Sequence, residues 1–335
     1  SDDLAVEKYV LYVNDTQYSG DGLKMVASAP EKTDSNETSG GGKNTESATT
    51  EKKNNTNVPG EIPFETHGKL SVKGTDIVDM NGDKYQLKGV STHGITWFPD
   101  YVNKKAFETL RDDWGANLIR LAMYTDTGDS YGYCSGGDKD EILALVDKGV
   151  SAATELGMYV IVDWHILSDS DPNNHIDDAK EFFDKVSKKY AAQENVIYEI
   201  CNEPNGGTQW SSVKSYAETI IPVIKANDKD ALIIVGTPNW SQDVDIASQD
   251  PITGYDNIMY AVHFYAATHK DDLRNKVKTA LYNGLPVFVS EFSLCDASGN
   301  GGIDYDSSDE WFKLINENNL SYSSWSLCNK NETSA

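Results

Sequence analysis

Residues 158–203 read MYVIVDWHILSDSDPNNHIDDAKEFFDKVSKKYAAQENVIYEICNE. The opening MYVIVDWH is an apolar run interrupted only by Asp163 and His165, and the closing NVIYEICNE repeats that form and ends on Asn202-Glu203. Runs of this length, rich in Val, Ile and Tyr, read as strands. Between them Ala179, Phe182, Phe183, Val186 and Tyr190 fall at i, i+3, i+4, i+7 and i+11, which places them on one stripe of a helix. Strand, amphipathic helix, strand is the α/β signature.

The same texture extends in both directions. Further strands are expected at YQLKGV (85–90), NLIRLAMY (117–124), ALIIVG (231–236), IMYAVHFY (258–265), PVFVSEF (286–292) and LSYSSWSL (320–327), which makes eight. Val213, Tyr216, Ala217, Ile220 and Ile224 mark a second helical stripe, and Gly115, Gly157 and Gly284 stand just before strands, where a helix C-cap needs a left-handed residue. Ahead of the first strand, Asn81-Gly82 sits between two alternating runs and predicts a type I′ β-hairpin that plugs one end of the fold. Eight β-then-α units over residues 67–335 match the roughly 250 residues of a (β/α)8 TIM barrel. A doubly wound sheet is the rival, but no glycine-rich phosphate loop follows any strand. Only Cys328 to Ala335 follow the eighth strand, so the last helix of the ring is expected to be missing and the chain to aggregate more than a version carrying that helix.

Residues 31–60 hold no aromatic residue and no Leu, Ile or Met, so ordering them would bury too little apolar surface to offset the entropy lost. We read 31–66 as a flexible Ser/Thr/Asn/Gly-rich linker, 1–30 as the remnant of an upstream segment whose LAVEKYVLYV (4–13) forms a strand or short helix, and 67–335 as the barrel domain. The chain is 39% hydrophobic, enough for a large core, and its net charge of −24 argues against nucleic acid. No run of eighteen apolar residues predicts a membrane span, and no signal-peptide order is present, although Ser1 is not a natural start and a leader is expected to have been removed or omitted. The four cysteines form no CxxC pair, and whether Cys295 and Cys328 are bonded is left open.

In a barrel of this kind the chemistry sits at the C-terminal ends of the strands. Those ends carry His93 and Trp97, Arg120 and Tyr124, Asp163-Trp164-His165, Asn202-Glu203-Pro204, His263-Phe264-Tyr265, Ser290-Glu291-Phe292 and Trp325. Burying so many polar groups for stability alone is costly. Glu203 and Glu291 end the fourth and seventh strands, which face each other across a closed barrel, and two carboxyls over one cleft are what glycoside hydrolysis needs. Glu199, four residues deeper, reads instead as a buried, paired carboxylate. Trp114 and Trp311 read as core, Trp164 is ambiguous, Asp163 and Asp296 read as supporting or loop residues, and His67, His175 and His269 as solvent-facing.

Two rival readings are weighed. Gly128-Asp129-Ser130-Tyr131-Gly132 fits the GxSxG pattern of serine esterases, but a nucleophile elbow needs a strand running into a helix, and this stretch is a polar loop. A non-catalytic glycan-binding barrel would keep the aromatics without needing both glutamates. No HExxH, EF-hand loop or tight His/Cys set appears, so neither a catalytic metal nor a cofactor is expected.

The motifs Asn202-Glu203-Pro204 and Val289-Ser290-Glu291-Phe292, with KGVSTHGITW, NLIRLAMYT, VIVDWH, YEICNEP, HFYA and SSWSLCNKNETSA around them, resemble the cellulase family five of the glycoside hydrolases over residues 67–335. That resemblance implies a retaining endo-β-1,4-glucanase without cofactor; a polymeric substrate in turn implies secretion, the linker implies a module not present in this chain, and a monomer is expected. It implies Glu203 as acid/base and Glu291 as nucleophile, Tyr265 and Arg120 hydrogen-bonding the nucleophile, Asn202 holding a sugar 2-hydroxyl, and His165 and His263 lining the centre. His93, Trp97 and Tyr124 are implied on the non-reducing side, Trp325 beneath a sugar, Lys330 and Glu332 in a sugar-binding loop, and Trp240 as a platform on the leaving-group side. The preferred polymer among cellulose, mixed-linkage glucan, xyloglucan and mannan is left open.

Overall fold

The computed structural model describes residues 8–13, 16–21 and 61–335, and the expected linker over 31–60 lies outside them. Near the N-terminus, β1 (Lys8–Val13) and β2 (Thr16–Asp21) pair antiparallel, so the first apolar run is a strand.

The rest is a separate unit. It opens with α1 (Pro63–His67) and a small antiparallel pair, β3 (Ser71–Lys73) and β4 (Asp76–Val78). Eight parallel strands then close a barrel: β5 (Lys88–Thr92), β6 (Leu118–Tyr124), β7 (Tyr159–His165), β8 (Val196–Glu199), β9 (Leu232–Val235), β10 (Ile258–Tyr265), β11 (Val287–Ser293) and β12 (Tyr322–Leu327), with β12 paired back to β5. Between them run α2 (Lys104–Asp112), α3 (Lys139–Glu155), α4 (Ile176–Tyr190), α5 (Trp210–Asn227), the single turns α6 (Pro238–Ser241) and α7 (Val244–Ala247), α8 (Asp271–Tyr282) and α9 (Tyr305–Glu317).

Strand alternation divides the core in two. Ile119, Leu121, Val160, Val162 and Trp164 face outward and pack on the helices with Phe182, Phe183 and Trp311, while Leu118, Tyr159, Ile161, Ile197, Ile234, Met259 and Phe288 fill the inside of the barrel at its N-terminal end. Leu70, just before β3, and Ile77 of β4 complete that inner cluster, so this segment does plug the barrel. The segment reverses twice: the register Lys73↔Asp76 puts one tight turn at Gly74-Thr75, and the chain turns again at Asn81-Gly82, where the Gly82 N–H meets the Asp79 carbonyl at 2.9 Å and Val78 bridges Lys84 antiparallel. The expected turn is present but not of type I′, since only Gly82 takes a positive φ (82°) and that type requires both. Gly115, Gly157 and Gly284 are left-handed (φ 70°, 65° and 82°), as a helix C-terminus demands.

Two further expectations change. The end of the supposed linker is folded: Phe64 donates its N–H to the Gly157 carbonyl and sets its ring on Tyr159. His67 is buried, bonded to Asp79 at 2.9 Å and stacked on Tyr85 at 3.8 Å, because α1 carries it under the barrel. Residues 328–335 form no helix; they cross the mouth of the barrel, with Ser334 bonded to Ser326 and Gly299. All four cysteines are free thiols. Among the described residues no helix is long and apolar enough to cross a membrane.

Candidate active site

Above the apolar plug the inward positions turn polar. Arg120 of β6, Asp163 and His165 of β7, Glu199 of β8 and His263 of β10 continue the inward rows begun by Leu118, Tyr159, Ile197 and Met259. In β11 the alternation breaks. The register runs from Ala261↔Phe288 to His263↔Glu291, two residues on β10 against three on β11. This bulge lets the successive residues Ser290 and Glu291 both face inward and returns Phe292 to the helix side. Glu203 arrives from the loop after β8, which lies against Gly236; a Cβ there would sit 2.3 Å from the Cys201 carbonyl oxygen, so only glycine leaves room for this loop.

Arg120 is fully buried and organises one half of the site. It donates to Glu199 (2.7 Å), Glu291 (3.1 Å) and Asn202 (2.6 Å) and pairs with Asp163 at 3.0 Å. Glu291 also accepts from the Tyr265 hydroxyl at 2.9 Å. The other half is a chain: Glu199 accepts the Ser290 hydroxyl proton (2.7 Å), His263 Nε2 meets the Ser290 oxygen (2.9 Å), and His263 Nδ1 meets Glu203 (2.9 Å). Because an ionised Glu199 only accepts, Ser290 spends its proton there and His263 Nε2 must be the donor. The remaining proton of the pair then lies along the Nδ1···Oε1 line, on the imidazole or on Glu203.

Burial raises the Glu203 pKa, helped by the negative Glu291 and only partly offset by His263. Burial acts in the same direction on Glu291, but His263, Arg120 and the Tyr265 hydroxyl outweigh it and hold that carboxyl below its ordinary value. Burial would lower His263, yet its bonds toward Glu199 and Glu203 carry it up to about 9. The two carboxyls are thus shifted in opposite directions, Glu203 toward holding a proton and Glu291 toward losing one. Carboxylate oxygens of Glu203 and Glu291 and a ring nitrogen of His263 all lie within 4.8 Å of one another.

These groups open into a cleft of about 690 Å³ lined by His93, Trp97, Tyr124, His165, Trp240, Trp325, Lys330 and Glu332. Trp325 lies 5.3 Å from His165 and 5.0 Å from His93, ring to ring, and Trp97 meets Tyr124 edge-on at 4.7 Å. Lys330 and Glu332 pair at 2.7 Å on the rim. Trp240 is held differently. Asn239, Trp240 and Ser241 take successive positive φ values of 59°, 58° and 54°, which side chains rarely adopt, and 46% of Trp240 is exposed at the cleft.

The family model described as Cellulase (glycosyl hydrolase family 5) matches residues 78–331. The chain belongs to glycosyl hydrolase family 5. It is 47% identical over 282 residues to Endoglucanase A of Butyrivibrio fibrisolvens, covering 83% of this chain and 65% of that one. Among solved structures, Cellulase Cel5C_n superposes with a TM-score of 0.79 at 45% identity, over 82% of this chain and 85% of that one. The catalytic domain of Thermobifida fusca endoglucanase Cel5A in complex with cellotetraose gives 0.74 at 39% identity, over 82% and 89%. The chain spans between half and two thirds of the length of the first curated relatives it matches.

The family 5 domain brings the expected residues together with two qualifications. Arg120 and Asn202 lie beneath the cleft floor, and Asn202 is fully buried, its Nδ2 donating to the Ile166 carbonyl (3.1 Å) and facing His165 Nε2 (3.2 Å). Asp163 is buried in the network, bonded to His165 at 2.6 Å. His269, read from the sequence as solvent-facing, lies at the cleft, where its Nδ1 accepts the Tyr265 N–H at 2.8 Å. Asp126, Ser168, Gln242 and Ser298 also line the cleft from loops without periodicity, and nothing in the sequence distinguishes them from other polar loop residues. Ser130 of the GxSxG stretch is exposed in a loop.

Ser290→Ala is expected to strand both the His263 Nε2–H and one oxygen of Glu199. An unpaired buried polar group costs about 1–3 kcal/mol, so the thermal midpoint should fall. The weakened imidazolium would lower Glu203 less, and the alkaline limb of the pH–rate profile should move upward. An unchanged limb would break the proposed link.

Proposed function

We propose that this domain hydrolyses internal β-1,4-glucosidic bonds of a glucan by double displacement. The observation that carries the reading is the Glu203–Glu291 pair: oxygens within 4.8 Å, with burial pushing one carboxyl above its ordinary pKa and His263 and Arg120 holding the other below it. Retaining glycosidases hold their carboxyls about 5–5.5 Å apart, whereas inverting ones leave roughly 6.5–9.5 Å for a water. Glu291 attacks the anomeric carbon while Glu203 protonates the departing oxygen; Glu203 then takes a proton from water as water releases the sugar. His263 holds the Glu203 proton within reach through both steps.

Flat indoles suit the axial C–H faces of a glucan, and Lys330, Glu332 and the histidines suit its hydroxyls. The endoglucanase names of the relatives and the cellotetraose bound by the Thermobifida fusca domain support a β-1,4-glucan as substrate. A polymer of this kind lies outside cells, which makes secretion part of the proposal.

The test is viscosity loss and reducing-sugar release on carboxymethylcellulose, barley β-glucan and mannan, with NMR of the first-formed anomer. Rapid viscosity loss with β-anomer first is expected; α-anomer first would exclude double displacement. Trp240→Ala should raise KM for the preferred polymer about five-fold with kcat unchanged, since one stacked ring contributes about 1 kcal/mol.

A further inference from the structure

Apart from the catalytic network, three side chains of metal-binding type converge on the outer side of the cleft wall. The Cys134 sulfur, a ring nitrogen of His175 and a carboxylate oxygen of Asp178 all lie within 4.8 Å of one another. Cys134 belongs to the loop after β6, His175 ends the 3-10 turn Pro172–His175, and Asp178 lies in the first turn of α4. All three are half-buried.

Their outer sides are already engaged. His175 Nδ1 is 4.0 Å from Asp178 Oδ2, while its Nε2 is 3.5 Å from Asp126 Oδ2. Asp178 gives its second oxygen, Oδ1, to Lys139 at 2.5 Å. A carboxylate behind the histidine and a cation behind the aspartate are the supports that orient metal ligands.

We propose that Cys134, His175 and Asp178 bind a zinc ion that ties the loop after β6 to the start of α4. Sulfur with nitrogen and one oxygen is a donor set for Zn²⁺ or Co²⁺, not for the all-oxygen preference of Ca²⁺ or Mg²⁺. Tetrahedral bond lengths place ligand atoms roughly 3.5 Å apart, so the three close on the ion by side-chain movement of about 1 Å or less. Water takes the fourth position. The thiol proton leaves to solvent as the zinc–sulfur bond forms, so binding weakens as pH falls. The tied loops carry Asp126 and Ser168, which line the cleft, and the ion would stiffen that wall.

The test uses the chain freed of metal by chelation and titrated with Co²⁺. Uptake of one equivalent with a near-ultraviolet thiolate-to-cobalt band, displaced by Zn²⁺, is expected. Cys134→Ser should lose the band, and Asp126→Asn, a surface change that leaves all three ligands in place, should weaken binding about 10–100-fold. A wild-type chain that binds no Co²⁺, or a band undiminished in Cys134→Ser, would overturn the site.

Discussion

Glu291→Gln should lower glucan hydrolysis by on the order of 10⁴-fold or more, leaving the fold intact. The amide is isosteric with the carboxylate but has no charge to form a glycosyl–enzyme bond, so glucans and activated aryl glycosides should fail together. Removing a buried charge that meets Arg120 at 3.1 Å would ordinarily endanger the fold. Here Glu199 at 2.7 Å and Asp163 at 3.0 Å still pair with that guanidinium, so the thermal midpoint should shift little compared with the activity. Differential calorimetry beside the rate measurement separates the two effects. A variant that folds and still cleaves carboxymethylcellulose would remove Glu291 from the nucleophile's role.

The Glu291 position also shows where sequence reasoning stops. The eight strands are legible because each is a compact apolar run, and IMYAVHFY (258–265) coincides with β10 to the residue. Helical stripes are legible for the same reason: the outer layer must bury Phe182, Phe183 and Val186 on one face. Periodicity alone, however, would send Glu291 outward, because Ser290 before it faces in. Only the bulge turns it, and a bulge depends on the register of two neighbouring strands, which no single segment encodes. The place of Glu291 at a strand end and the motif resemblance therefore point to it where the alternation does not. His67 and His269 fail for a related reason. Each reads as polar and solvent-facing, yet α1 carries one beneath the barrel to Asp79, and the turn after β10, closed by the Tyr265 N–H on His269 Nδ1, carries the other to the cleft. The Asn81-Gly82 reading places a real turn but not its type, because the dipeptide permits type I′ without requiring it and only Gly82 takes a positive φ, while Gly74 (φ 64°) makes a second turn that the reading does not name.

Glu203→Gln should behave differently from Glu291→Gln, and the difference is the sharper test of the division of labour. A general acid contributes about 10²–10⁴-fold when the leaving group is poor, so hydrolysis of unactivated glucan should fall by that amount. Aryl glycosides with good leaving groups need little proton donation, so the first step should survive, and with no base to activate water the glycosyl–enzyme should accumulate as a burst. Azide, which needs no deprotonation, should restore turnover in Glu203→Ala and give a β-glycosyl azide, the product of two inversions. The pH profile supplies an independent reading. In the wild type Glu291 must be ionised, which sets an acid limb below the ordinary glutamate range, and Glu203 must be protonated, which sets an alkaline limb above it. Replacing Glu203 removes the group behind the alkaline limb, so the variant's glycosylation of aryl substrates should stay flat as pH rises past that point while the acid limb stays in place. An acid limb lost in Glu203→Gln, or a glucan rate left intact, would mean that the two carboxyls have been given each other's roles.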